Sequence, residues 1–300
     1  MIDFAKIKVN DKMWIDPLLA AADMSGCQHN FTNLFVWSKI NQYQVGRIDD
    51  YLVVKGEQSD GRPYYLYPAG EGDPKSVLEA IWQDAADCGH SCILAGLSID
   101  NMAVLKRLFP NRLEYTERRD AFDYVYLLDK LVTLTGDKNK AKRNHVNYFK
   151  KNIEWSFEPI SSHNLEECWD MNKEWCRVHR CKDDEQLANE NCAVNRCFDN
   201  YYALGLEGGL LRSAGRVIAF TMGDRLNSDT FDTHVEKAYA DIRGAYQMIN
   251  QQFAAMIQQN HPEIVYVNRE EDMGYEGLRK AKLSYHPDKM EVKYWAEFER

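Results

Sequence analysis

Two successive rounds of one hydrophobic pattern run along this chain. In the first, residues 13–40 read as mostly helical, with Asn30 and Thr32 as caps ahead of the apolar run Leu34, Phe35, Val36 and Trp37. A hairpin follows, Tyr43–Ile48 and Tyr51–Lys55, turning at Asp49 and Asp50. Tyr64–Tyr67 reads as a strand, Pro74–Cys88 as a helix with proline in its first turn, and Ser91–Leu97 as a buried strand. A short helix, Asn101–Phe109, and a pair of closing strands within Leu113–Leu128 complete the round.

The second round begins with two helices. The first carries Leu165, Trp169, Trp175 and Val178 on one face behind an Asn164/Glu167 capping box; the second is marked by Leu187, Val194, Phe198 and Tyr201. A hairpin turns at Ser213–Gly215, and Thr230–Glu236 is a strand. Asp241 is placed to cap a helix with the stripe Ile242, Tyr246, Ile249, Phe253 and Met256. Ile264–Val267 is a β-branched apolar run, the mark of a strand buried on both faces, and it stops abruptly at Asn268, Arg269, Glu270, Glu271 and Asp272. A short helix and a final strand, Met290–Trp295, end the round. A buried strand opening into polar residues is how an α/β sheet presents a site at its carboxyl edge.

The repetition predicts an α/β (α+β) protein of two related units, each a mixed sheet flanked by helices. The expected division is 1–130 for the first unit, 131–156 for a basic helical linker and 157–300 for the second. The length of 300 residues accommodates this, and 45% hydrophobic with 28% charged residues is an ordinary globular balance. A net charge of −9 argues against a nucleic-acid coat or a membrane-surface binder, so any basic patch must be local. No apolar run approaches the roughly 20 residues of a membrane span, and the first residues show no signal-peptide core. The eight cysteines are scattered without metal-ligand spacing, which points to reduced thiols in the cytoplasm and to no metal site.

Four stretches carry a resemblance: FTNLFVW near the start, KRNHVNYFKK at 142–151, HVEKAYADIRGAYQMINQQF at 234–253, and YVNREEDMGYEGLRKAKLSYHP at 266–287. Together with the element order, they resemble a bacterial family related to the C-terminal catalytic domain of phosphatidylglycerol lysyltransferase, with a GNAT acyltransferase fold in tandem. The resemblance implies transfer of an acyl or aminoacyl group from a carrier, aminoacyl-tRNA or acyl-CoA, to an amine or hydroxyl, with an anionic lipid headgroup as one acceptor. It implies no tightly bound cofactor. The chain departs from those lysyltransferases in showing no transmembrane region. Arg243-Gly244-Ala245 is a compressed form of the acyl-CoA pyrophosphate loop.

Comparison of the halves places the site in the second. Where that half enters its main helix with Arg243 and Gly244, the first has Glu71 and Asp73, and an anion prefers the former. The first unit is therefore expected to be a scaffold. Arg243, Gly244 and Arg269 are the candidate carrier-phosphate ligands. Lys142, Arg143 and Lys150 join them from a stretch, Lys138–Lys151, that holds six Lys or Arg and no acid. A solvated helix face is the alternative for that stretch. Glu236, at a strand end beside a cleft, is the candidate general base, with His234 on the same side of the strand and Asn268 as an orienting or oxyanion group. Tyr275 and Tyr285 are candidate acids. Two functional classes remain open at this point: a transferase, and a catalytically silent module of the same fold that senses a nucleotide, tRNA or anionic headgroup. Nothing in the sequence speaks to oligomeric state.

Overall fold

The computed structural model describes residues 2–298. The first half runs β1 (Ala5–Lys6), α1 (Lys12–Ala22), α2 (Phe31–Trp37), β2 (Gln44–Ile48), β3 (Tyr51–Glu57), β4 (Pro63–Leu66), β5 (Ala69–Gly70), α3 (Lys75–Asp87), β6 (Ile93–Leu97), α4 (Ile99–Leu108) and β7 (Leu113–Glu117). The second runs β8 (Asp123–Leu127), α5 (Leu128–Thr133), α6 (Lys140–Asn152), β9 (Ser156–Pro159), α7 (Leu165–Val178), α8 (Glu185–Asp199), α9 (Tyr201–Leu204), β10 (Glu207–Ser213), β11 (Arg216–Arg225), β12 (Thr230–Ala238), α10 (Ala245–Asn260), β13 (Tyr266–Asn268), α11 (Glu276–Leu283), β14 (Lys289–Glu291) and β15 (Tyr294–Phe298). No helix among the described residues is long and apolar enough to cross a membrane.

Both predicted hairpins form with two-residue turns, Ile48 pairing Tyr51 and Ser213 pairing Arg216. At the second turn Ala214 and Gly215 both have positive φ, 47° and 78°, as the twist of the flanking strands requires. Asn30 caps α2 by accepting from the Asn33 N–H, as expected. Asn164 does not cap α7. Its side-chain oxygen is taken by the N–H of Ser161 and its amide by the Pro159 carbonyl, which ties the incoming chain instead.

The strands form two mixed sheets. The first has the order β1-β2-β3-β4-β6-β15-β7, with β5 on β3; the second has β14-β8-β13-β12-β11-β10-β9. β4 with β6 in the first and β12 with β13 in the second pair parallel, connected through the long helices α3 and α10. Two strands depart from the simple repeat. β8, expected to close the first sheet, pairs antiparallel with β13 in the second. The expected final strand, Met290–Trp295, is split: β14 lies beside β8 in the second sheet, while β15 pairs with β6 and β7 in the first. β8 and β15 are both short and mostly apolar, and a strand's own residues fix which faces are buried but not which neighbour supplies the ladder.

Two units result: the described residues of Met1–Asp123, Glu271–Glu276 and Met290–Arg300, and Tyr124–Glu270 with Gly277–Lys289. In the first, Val77, Leu78 and Ile81 of α3 pack on Val53, Tyr65, Leu94 and Leu97 of the sheet, joined by Ala296 and Phe298 of β15. In the second, Val146 and Phe149 of α6 pack with Ala245, Met248 and Ile249 of α10 against Leu211, Ile218 and Ala219. The basic helix thus buries Val146 and Phe149 in the core of this unit.

Candidate active site in the second unit

β12 and β13 pair over only three residues, Asp232 with Asn268 being the last. Beyond it β12 stays with β11, while Arg269 follows β8 by donating its N–H to the Tyr124 carbonyl at 3.0 Å. The parallel strands therefore separate, and side chains bridge the opening twice. An Arg269 Nη2 hydrogen donates to Glu236 Oε1 at 2.9 Å, and His234 Nδ1 lies 2.8 Å from Glu270 Oε1.

A β-bulge decides which side each bridge occupies. Val235 pairs with Met222 but Thr233 with Gly223, so β12 carries one extra residue there. The bulge turns Glu236 to the α10 side, where it accepts from Asn250 Nδ2 at 3.0 Å; Phe231, an odd number of residues away, meets Phe253 of the same helix. His234, expected on the side of Glu236, meets different neighbours: Nε2 lies 3.0 Å from Asp224 Oδ1, and Asp232 is 3.9 Å from Nδ1. Period-2 alternation fails here because the extra residue resets it.

His234 is almost fully buried among three carboxylates. Burial opposes its charge, but Asp224, Glu270 and Asp232 hold its proton well above the usual histidine range. A raised pKa contributes stability that is complete below about 6.5, the ordinary value, and is lost as pH rises through the folded value. We therefore expect the His234 imidazole to keep its proton at pH 8. Its ring nitrogen shifts in an NMR titration check this, and a midpoint near 6.5 would contradict the cluster's geometry.

The Glu236 side holds the larger constellation. The Arg269 guanidinium lies 4.8 Å from the Tyr285 ring centroid and 5.7 Å from that of Tyr126. Burial opposes its charge, and Glu236 more than restores it. Lys142 of α6 places Nζ 4.0 Å from the Tyr285 centroid and donates to Ser284 Oγ at 2.7 Å. Burial, then the nearby Arg269 charge, lower Lys142 to about 8. Tyr285 is pushed well above the ordinary tyrosine range, chiefly by burial, so its phenol stays protonated. Arg269 Nη1, Tyr285 Oη and Asn250 Oδ1 are buried and have no hydrogen-bond partner among the described residues. Buried polar groups left unsatisfied, here two donors and one acceptor, cost about 1–3 kcal/mol each, which makes this cluster the candidate place for a ligand.

The remaining expected residues are distributed as follows. Asn268 is fully buried and its side-chain oxygen accepts the Glu270 N–H at 2.7 Å, shaping a turn in which Glu270 has φ 57°. Asp241 does not cap α10. The cap is Gly244, in the left-handed region at φ 89°, where an added Cβ would lie 2.5 Å from the His145 carbonyl oxygen. Glycine at this position answers to α6 packing on α10, and a carbonyl borders the spot expected to seat a phosphate. Arg243 is exposed and lies over the Tyr148 ring at 4.3 Å. Arg143 donates to the Leu134 and Gly136 carbonyls, and Lys150 to Gln251 Oε1, so both have partners within the fold. Tyr275 belongs to the first unit, with its N–H on the Asp272 carbonyl.

Sequence reasoning passed over Asn250, Tyr126, Asp224 and Lys282. Asn250 had a readable signal, a polar residue inside the buried stripe of α10. Lys282 Nζ donates to the Arg269 and Glu270 carbonyls at 2.6 and 3.1 Å, holding the turn after β13. Among the described residues two groups have metal-ligand spacing, Asp232/His234/Glu270 and Cys27/Asp123/Glu271. In each a protein cation sits among the acids: the His234 imidazolium in one and the Lys293 ammonium in the other. An open groove of about 530 Å³ beside Phe157, Tyr202 and Met256 is lined by none of the constellation.

A crystal structure of a conserved protein of unknown function from Bacteroides thetaiotaomicron is similar over 100% of both chains, with TM-score 0.94 and 40% identity. The structure of L-PGS from Bacillus licheniformis superposes with TM-score 0.67 at 14% identity, covering 96% of this chain and 92% of that one; it shares the fold. An uncharacterised protein of Mycoplasmoides gallisepticum is 26% identical over 175 residues, 55% of this chain, and the match spans only 53% of that relative's length. The fold is the tandem GNAT-like, acyltransferase-type arrangement of two mixed sheets flanked by helices. The family described as phosphatidylglycerol lysyltransferase, C-terminal, matches residues 19–297, and this chain belongs to it.

Proposed function

We propose that the protein transfers an acyl or aminoacyl group from a carrier to an amine or hydroxyl, at the opening between β12 and β13. The observation that carries this reading is a pair of buried donors with no partner among the described residues, Arg269 Nη1 and Tyr285 Oη, whose guanidinium and ring centroid lie 4.8 Å apart at a strand-end opening. Such donors suit the oxygen that becomes negative when a nucleophile adds to an ester or thioester carbonyl. Glu236 holds Arg269 from the other strand, and Asn250 of α10 in turn holds Glu236. In this reading Glu236 is a positioning residue, since both its oxygens already accept hydrogen bonds. The first unit, lacking this constellation, is proposed to be the scaffold.

The donor we favour is the aminoacyl ester of tRNA over an acyl-CoA thioester. The His145 carbonyl at Gly244 disfavours a pyrophosphate seat at the start of α10. The acceptor is proposed to be an amine or a headgroup hydroxyl of an anionic lipid. The test incubates purified protein with charged tRNA or acyl-CoA, each with a mixed amine pool or with phosphatidylglycerol vesicles, and follows products by mass spectrometry. Transfer from charged tRNA is the expected result. Saturable binding without product under every condition would make the protein a silent binding module instead.

A further inference from the structure

We propose that Lys142 takes the proton from the attacking acceptor group at this site. The inference rests on the transferase reading above and adds the group that completes its chemistry. Glu236, expected from sequence to be the base, has Oε1 committed to Arg269 and Oε2 to Asn250. Lys142 is differently placed. Its Nζ donates to Ser284 Oγ, whose own hydroxyl proton goes to the Ala281 carbonyl at 2.5 Å. A neutral amine in that position uses one hydrogen for Ser284 and keeps its lone pair for a proton. No carboxylate lies within ion-pair distance of Nζ among the described residues.

The charged and titratable groups around Nζ come from every neighbouring element. Arg269 after β13 repels an ammonium, and Glu236 of β12 attracts it but is neutralised by Arg269. Tyr285, after α11, presents its ring, and Tyr126 of β8 packs edge-on to Tyr285 with its own hydroxyl on the Lys282 carbonyl. His145 lies one turn further along α6. Half-buried beside a fixed guanidinium, the amine is poised to titrate near working pH, which is where a general base is most effective.

The step balances as follows. The acceptor O–H or N–H proton passes to neutral Nζ as the new O–C or N–C bond forms at the carrier's carbonyl. The carbonyl oxygen, now negative, is met by Arg269 Nη1 and Tyr285 Oη. Collapse breaks the bond to the carrier, and the Lys142 ammonium returns the proton to the leaving oxygen or sulfur.

The test combines two readouts. Competitive labelling of lysines with an amine-reactive ester from pH 6 to 11, read by mass spectrometry, is expected to show Lys142 gaining reactivity with a midpoint about 8, against about 10.4 for exposed lysines. In the transfer assay Lys142→Arg, which keeps the charge but cannot release it, is expected to lower kcat by about 10²-fold or more with the donor KM little changed. Lys142→Met is expected to raise Tm at pH 7. A depressed lysine pKa costs stability below its folded value, and that cost vanishes as pH rises toward the ordinary value. Labelling of Lys142 with an ordinary midpoint overturns the proposal. So does a Lys142→Arg enzyme with wild-type kcat and pH profile, which would leave the transferase reading intact. A wild type that transfers nothing from either donor removes both.

Discussion

Replacing Arg269 with Lys is expected to reduce transfer by about 10²–10³-fold in kcat, the cost of losing one preorganised donor to a developing oxyanion. The reason lies in the fork of the guanidinium. Nη2 is spent on Glu236, and Nη1 has no partner among the described residues, the guanidinium lying 4.8 and 5.7 Å from the ring centroids of Tyr285 and Tyr126. A lysine keeps one positive charge and can keep the bridge to Glu236, but it has no second, rigidly aimed donor. Because the charge is conserved, Glu236 is not stranded and the fold is expected to hold. Glu236→Gln should lower kcat by less, since Arg269 keeps both nitrogens and loses only its anchor. Kinetics of both variants, with circular dichroism to confirm folding, decide this. An Arg269→Lys enzyme with wild-type kcat would take Arg269 out of the chemistry.

The largest stability effect is expected in the first unit, at Lys293. Its ammonium lies 2.6 Å from Asp123 Oδ1, and the two side chains are 4% and 0% exposed. Asp123 Oδ2 also accepts the Cys27 N–H at 2.9 Å, and Glu271 is 3.8 Å from the ammonium. Burial opposes the Lys293 charge, but Asp123 above all, with Cys27 and Glu271, raises its pKa well beyond the usual range. Lys293→Met leaves the Asp123 carboxylate buried without its cation and is expected to cost about 3–5 kcal/mol. Adding Asp123→Asn should recover much of that loss, because the stranded charge is then gone. A raised lysine pKa contributes fully below the ordinary value of about 10.4 and fades only above it, so the loss should be constant from pH 6 to 9. Urea denaturation across that range measures it. A single variant within 1 kcal/mol of wild type, or a double variant no better than the single, would contradict the buried pair.

Lys293 also shows where reading the chain as two consecutive repeats fails. It immediately precedes β15, which a strictly sequential reading assigns to the second unit, and its partner Asp123 opens β8. Each sheet takes one strand from beyond the simple repeat, and no local pattern encodes that choice. Strand propensity records a buried, pleated surface, whereas the pairing partner is set by which ladder lies open when the chain returns.

By itself the sequence determined the element order, both hairpin turns, the Asn30 cap, the tandem architecture, and the abrupt change from apolar to charged residues in the stretch from Tyr266 onward. These rest on short-range rules: periodicity, turn residues, and a hydrophobic run ending in charge. It also marked Arg269, Glu236, Lys142 and Tyr285 individually, because charged and phenolic groups beside apolar runs are visible one at a time. Only the tertiary structure supplied their neighbours. The extra residue in β12 turned His234 away from Glu236; α6 packing filled the space beside Gly244; and Asn250, two turns into α10, took the second oxygen of Glu236. A carboxylate is a base or an anchor according to what its lone pairs already hold, and an amine titrates according to the charges around it. Both are properties of three-dimensional neighbours, which residue spacing along the chain does not specify.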